Sequence, residues 1–158
     1  MKITAQEEYG LRTLIRIARC ADAEGLSIPQ LSDAEGIGQH YVAKITRQLR
    51  LAGFINSTPG QKGGYILSRS AEEININSVL KALGGALFDQ EFCDSHNGAV
   101  KLCTNSVDCS ARSLWKMIQF TVDQVLDKVS LADLCGKEVN AAGKLRNALN
   151  INLDLVIT

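Results

Sequence analysis

Through the first fifty residues, apolar side chains recur at steps of three and four, the period of helices with one buried face. Thr4-Ala5-Gln6-Glu7 fits a capping box, with Thr4 capping and Glu7 reaching back. The helix that follows, expected over about residues 5–22, turns Leu11, Leu14, Ile15, Ala18 and Ala21 toward a core. Arg12, Arg16 and Arg19 recur on another side and are expected to form a solvated face.

Ser27-Ile28-Pro29-Gln30 opens a second short helix, with Pro29 in the first turn, where its missing N–H does no harm. Gly36-Ile37-Gly38 ends it, and a third helix is expected from about Gln39 to Leu51, stopping at Ala52-Gly53. Leu31, Ala34, Ile37, Val42, Ile45 and Leu49 give the pair its inward faces. Two short helices joined by a glycine-containing turn form a helix-turn-helix pattern. On the third helix His40, Lys44 and Arg47 stand at i, i+4 and i+7, away from Ile45 and Leu49. A recognition helix is arranged this way, apolar behind and cationic toward the groove, although a merely solvated face can look alike. The next stretch makes the pattern specific. Phe54-Ile55-Asn56-Ser57 and Tyr65-Ile66-Leu67-Ser68 are β-prone runs around the glycine-rich, basic tip 58–64, a hairpin wing. The tip is a poor phosphate-binding loop, because the Gly-Lys-Ser/Thr ending and following helix are absent.

Helical period returns from Asn75 to Leu83, with Ile76, Val79, Leu80 and Leu83 on one side and Gly84-Gly85 as the break. From Phe92 to Leu114 no regular period runs, so the segment reads as a loop. A long helix is expected over about residues 111–129, with Leu114, Trp115, Ile118, Val122, Val125, Leu126 and Val129 on one stripe. The chain has no second large domain to cover that stripe, so a dimer interface is its natural use; the alternative is cover by the first helix of the same chain. Ser130-Leu131-Ala132-Asp133-Leu134 starts another short helix. Leu149, Ile151, Leu153, Leu155 and Ile157 then alternate with mostly polar residues, the period of a half-buried strand that needs a pairing partner.

With 46% of its 158 residues apolar, the chain can build a core without disulfides. It has no uncharged apolar run near the ~20 residues of a membrane span, and its charged start is unlike a signal peptide, so the expected location is cytoplasmic. Formal net charge is zero, yet residues 1–69 hold nine basic and six acidic side chains, and residues 70–158 hold eight and eleven. The span from Gly36 to Ala71 carries Lys44, Arg47, Arg50, Lys62 and Arg69 with no Asp or Glu. A local basic face on a neutral protein points to a docked polyanion.

Candidate chemistry concentrates in the aperiodic segment. Cys93, Cys103 and Cys109 are separated by nine and then five residues, with His96 between the first two. Three thiols together suggest a soft-metal or iron–sulfur site, or a redox switch. Zinc held by Cys93, His96, Cys103 and Cys109 has the right ligand count, but the spacing matches no standard finger. A metal-free switch would pair two loop cysteines in a disulfide. Catalysis is the weakest reading, with no Cys-x-x-Cys and no nucleophile–base pair; Cys20 and Cys135 are expected to be inert.

The opening MKITAQEEYGLRTLIRIA, the helix-turn-helix IPQLSDAEGIGQHYVAKITRQLRLAGFI, the wing ending GGYILSR and three cysteines before a long helix occur in a specific order over roughly residues 1–135. In these the chain resembles the IscR/NsrR-type iron–sulfur winged-helix transcriptional regulators. The resemblance implies a mainly α fold with a small β-hairpin wing, a winged helix-turn-helix followed by a long dimerisation helix. It implies a homodimer on a double-stranded DNA operator, responding to redox, iron or nitric oxide status. Carried onto this chain, it makes Gln39, His40, Ala43 and Lys44 face the major groove, with Arg47 and Arg50 further along the same helix, and Gln61 and Lys62 enter the minor groove. Cys93, Cys103 and Cys109 then hold a 2Fe–2S or 4Fe–4S cluster, with Glu8 of a partner's first helix or His96 as fourth ligand. The chain departs from the family in a longer first cysteine gap, in Pro59 where many members carry Arg, and in Arg112 where some carry a ligand His. The expected division is a DNA-binding domain 1–71, a connecting helix and cluster loop 72–110, a dimerisation region 111–135 and a tail 136–158.

Overall fold

A computed structural model describes residues 3–59, 63–88, 90–95, 103 and 105–149. Helix α1 (Ala5–Ala18) begins with the expected capping box: the Thr4 hydroxyl and N–H both donate to the Glu7 carboxylate, at 2.7 and 2.8 Å. It is shorter than the periodicity suggests. An Asx turn, the Glu24 N–H donating to Asp22 Oδ1 at 2.9 Å, redirects the chain, and Ala21 is exposed instead of packed. Helix α2 (Ile28–Glu35) ends at Gly36, whose φ of 67° is the left-handed conformation glycine adopts without strain. Helix α3 (Gln39–Leu51) then buries Val42, Ile45, Thr46 and Leu49. Strands β1 (Ile55–Thr58) and β2 (Gly64–Leu67) pair antiparallel, with Ile55 opposite Leu67 and Thr58 opposite Gly64. The hairpin is moored to the α1–α2 connection by Leu26–Tyr65 backbone hydrogen bonds and by the Thr58 hydroxyl, which donates to the Glu24 carbonyl at 2.7 Å.

Helix α4 (Ile76–Gly84) lies under this unit, followed by α5 (Gln90–Ser95), the long α6 (Ser110–Leu126), a short α7 (Leu131–Leu134) and α8 (Glu138–Leu149). Three sequence expectations change here. The segment from Phe92 to Leu114 is not wholly a loop, because Phe92 and Cys93 belong to α5, a helix too short to show a period. The long helix stops at Leu126, and Val129 turns into the core at 4% exposure instead of extending the outer stripe. The tail begins as helix α8; the strand expected beyond Leu149 lies outside the described residues.

One apolar core joins α1, α2, α3, the hairpin, α4 and α7: Leu14, Leu31, Val42, Ile45, Leu49, Ile55, Ile74, Val79 and Leu131 are fully buried. Burial of each such side chain stabilises the fold by about 1.5–3 kcal/mol. The arginines on and just after α1 remain partly solvated but also tie the helix to other elements. Arg12 and Arg16 both pair with Glu35 at the end of α2, at 3.0 and 2.6 Å, and Glu35 is 6% exposed. Arg19 donates to the carbonyls of Leu134, Cys135 and Gly136 at the end of α7. Sequence period cannot distinguish a solvated arginine from one clamped to a distant helix end.

Helices α1 and α4 approach closely at Gly10. A Cβ on Gly10 would stand 2.5 Å from Cδ1 of Leu83, which is 2% exposed and has no room to withdraw. Gly10→Ala should therefore lower stability by about 1–3 kcal/mol through overpacking, read as a fall in the thermal midpoint.

Candidate nucleic-acid interface and cysteine segment

The exposed side of α3 carries Gln39, His40, Lys44, Arg47 and Arg50, with Ala43 half-buried among them. A groove of about 540 Å³ runs along it, lined by His40, Ala43, Lys44, Arg47, Gln48 and Leu51. Buried Val42, Ile45, Thr46 and Leu49 on the other side fix which face points outward. The Thr46 hydroxyl satisfies itself on the Val42 carbonyl at 3.0 Å, so a polar residue sits in the core at little cost. Behind the groove, the ring of Tyr41 meets Tyr9 of α1 edge-on at 5.8 Å. Arg12 and Lys44 lie over these two rings, each 5.8 Å from its centroid. The structure thus places Gln39, His40, Ala43, Lys44, Arg47 and Arg50 on one surface, as the sequence pattern requires. Gln61 and Lys62 of the wing tip lie outside the described residues.

Sequence reasoning missed Gln48. It lies on the flank of α3, and its amide nitrogen donates to the Ala82 and Leu83 carbonyls at 2.7 and 3.3 Å. Gln6 of α1 donates to the same Leu83 carbonyl. The last carbonyls of a helix have no partner within it, so these two glutamines cap α4 from outside. No sequence signal marks them, since a glutamine on a helix flank is ordinarily solvated.

Beyond that cap, Gly84 and Gly85 lead to the cysteines. Cys93 on α5, Cys103, and Cys109 at the N-cap of α6 are all free and half-buried. The Cys109 sulfur accepts the Arg112 N–H at 3.3 Å, which ties it to the first turn of α6. Arg112 in turn donates to the Ser106 carbonyl at 3.0 Å. Among the described residues no three His, Cys, Asp or Glu side chains stand close enough to form a metal site. Glu8 is exposed on α1, and His96 lies outside the described residues. By donor type, three free thiols suit a soft metal ion or an iron–sulfur cluster. Cys135 is set apart: burial pushes its thiol pKa up against the pull of Arg19 and Lys144, and it donates to the Leu131 carbonyl at 3.3 Å. Cys20 is half-buried beside Asp22.

Helix α6 has no buried residue along its seventeen. Ile118, Val122, Val125 and Leu126 are half-buried, whereas Leu114, Trp115, Met117 and Phe120 are 44–63% exposed. Met117 and Phe120 fall off the stripe that the sequence defined. Polar links hold α6 to α4: Lys81 pairs with Asp123 at 2.8 Å, and Asn77 donates to Asp127 at 2.7 Å. Gln119 donates to Asp123 at 2.8 Å and accepts the Phe88 N–H at 3.1 Å.

A buried-faced recognition helix, a preceding helix at a glycine turn and a β-hairpin define a winged-helix DNA-binding protein. The chain belongs to the Rrf2 family: the family model described as Rrf2, an iron-dependent transcriptional regulator, matches residues 3–137. Protein rrf2 of Nitratidesulfovibrio vulgaris is 34% identical over 152 residues, covering 96% of this chain and 97% of that protein. The transcriptional regulator IscR of Pectobacterium carotovorum is 25% identical, covering 97% and 99%. Among solved structures, CymR, the global cysteine regulator of Bacillus subtilis, superimposes with a TM-score of 0.65 at 26% identity, covering 85% of this chain and 96% of that one. IscR of T. potens shares the fold, with a TM-score of 0.64 at 24% identity and 85% of each chain covered. The protein is therefore a DNA-binding transcriptional regulator and not an enzyme. Among the described residues no helix is long and apolar enough to cross a membrane.

The α4–α6 link gives a pH prediction. Burial raises the Asp123 pKa, but hydrogen bonds from Lys81 and Gln119 and the Lys81 charge outweigh it, leaving the carboxyl below its ordinary 3.8. A depressed folded pKa means stabilisation that is complete above 3.8 and lost as pH falls through the lower folded value. Asp123→Asn should thus be less stable than wild type at pH 7, and the two denaturation curves should converge below pH 3.8.

Proposed function

We propose that this chain is a homodimeric, operator-binding regulator whose DNA affinity is set by the chemical state of Cys93, Cys103 and Cys109, which hold an iron–sulfur cluster. The observation that carries the reading is the position of the thiols. They lie between the capped end of α4 and the N-cap of α6, so a change at Cys109 acts on α6 directly. The family description as iron-dependent supports iron as the metal. Glu8 of a second copy, or His96, is the fourth ligand.

Such a cluster supplies redox chemistry and bonds that oxidants and nitric oxide can break, more readily when one of its four ligands is not a thiolate. The remaining work falls to the chain. Lys81–Asp123 and Asn77–Asp127 pass a displacement of α6 to α4, and the Gln48 amide passes it from α4 to α3. The unburied apolar residues of α6, Trp115 foremost, form the surface against a second copy. Two recognition helices then present themselves to symmetric half-sites, whose spacing makes affinity sensitive to dimer geometry. The cluster shifts the equilibrium only by its differential affinity for the two arrangements.

A metal-free thiol switch is the second reading, favoured by the free cysteines of this chain and by CymR of Staphylococcus aureus, 27% identical and solved in an oxidized form. There two loop thiols lose two electrons and two protons to an oxidant such as a peroxide and become a disulfide.

Anaerobic purification with iron and sulfide counts separates these readings. A cluster gives iron, sulfide and absorption between ~300 and ~600 nm that bleaches with oxidant. Cys103→Ala should abolish all three while leaving a folded dimer, because Cys103 is no part of the core. Loss of absorption in Glu8→Ala or in His96→Ala assigns the fourth ligand. Zinc without sulfide contradicts the cluster; a colourless protein whose gel mobility shifts reversibly with dithiothreitol supports the thiol switch.

A further inference from the structure

We infer that Arg47 reads a guanine in the operator half-site, while Lys44 takes a phosphate beside it. The inference rests on DNA binding by α3 and adds the base class that this helix selects.

Four arginines of the DNA-binding half outside α3 are committed to the fold. Arg12 and Arg16 hold Glu35, and Arg19 holds the carbonyls that end α7. Arg69 donates to the Gly53 carbonyl at 3.1 Å and lies over the Phe54 ring at 5.4 Å. Arg47 makes no hydrogen bond, ion pair or ring contact among the described residues, and it stands opposite Ile45 and Leu49 at a helical rotation of about 100° per residue. Among the described residues it is the only guanidinium lining the α3 groove; Arg50, the other arginine of α3, is exposed but stands outside that lining. Lys44 is drawn to the flank of the helix, its ammonium over Tyr41, a ring braced by Tyr9.

The chemistry of the face then selects the base. A guanidinium fork matches O6 and N7 of guanine in the major groove, both acceptors, whereas cytosine and adenine present amino donors there. Reading those donors needs an acceptor, and α3 has no Asp or Glu. Of the two amides of α3, Gln48 is held on the α4 carbonyls and Gln39, the first residue of the helix, is not among those lining the groove, so the paired donor and acceptor that adenine needs are not offered beside Arg47. Ala43 and Leu51 line the groove without donors. A flexible ammonium on the flank suits a phosphate as a point charge.

Selection of duplexes from a random pool with the full chain, followed by binding titrations at several salt concentrations, tests this. Wild type should select a guanine at one fixed position of each half-site. Arg47→Ala and Arg47→Lys should both lose about 5- to 150-fold of the discrimination at that position alone, Lys keeping the charge without the fork. Replacing that guanine by 7-deazaguanine, which lacks N7, should weaken wild type and leave Arg47→Ala unaffected. Lys44→Ala should weaken all sequences alike and reduce the salt slope by about 1. The assignment is overturned if Arg47→Ala weakens every sequence uniformly and lowers the salt slope, or if the base pair that it relaxes is A·T. A wild type that selects no sequence would overturn base reading by α3 as a whole, and one that binds no duplex at all would instead overturn the DNA-binding reading beneath it.

Discussion

The end of α4 is where the two halves of this molecule are held together. Its last carbonyls, from Ala82 and Leu83, would be unpaired at a helix C-terminus; Gln48 of the recognition helix and Gln6 of α1 supply the missing donors. Leu83 itself fills the space that the absent side chain of Gly10 leaves in α1. Because buried carbonyls are costly to leave unpaired, by roughly 1–3 kcal/mol each, α4 cannot slide without dragging α1 and α3 or losing those bonds. Its opposite side is tied to α6 through Lys81 and Asn77. Helix α4 thus touches α1 and α3 at its end and α6 along its side.

Electrostatics divides the basic residues by task. The neutral net charge conceals a set of arginines spent on joining helices and another left for a partner. In the first group Glu35 receives Arg12 and Arg16, and the Arg12 guanidinium also donates to its backbone carbonyl at 3.0 Å. The packing of α2 against α1 thus sets the angle at which α3 leaves the glycine turn. With both arginine side chains 42% exposed, these pairs fix the geometry of α1 and α2 and add little stability. The second group, on α3, has no acidic neighbour on its own helix, which keeps its charge available to a polyanion.

The winged helix was legible in the chain because each of its parts carries a local signal. The Thr4–Glu7 box, Pro29 in a first turn, Gly36 at a stop and the two strands of the hairpin all appear where the sequence places them. The outward face of α3 followed from period alone. What period could not reveal were contacts between residues far apart in the chain: Arg19 on the end of α7, Gln48 on the end of α4, Val129 folded back to the core. A helix of six residues, α5, is shorter than two turns and left no pattern to read. The cysteines were found by their chemistry, but nothing in their spacing says that Cys109 caps α6. Exposed Met117 and Phe120 escaped notice because a single stripe was sought on a helix that is unburied on every side.

The account stands on a link between thiol chemistry and DNA affinity. Its most direct measurement is the operator affinity of one preparation before and after its cluster is removed anaerobically, at fixed salt and with the dimer population monitored. The account predicts that the two forms differ in affinity for at least one operator while both remain dimeric, and that Cys103→Ala binds like the stripped form. Equal affinities of loaded and stripped protein for every operator sequence would contradict it.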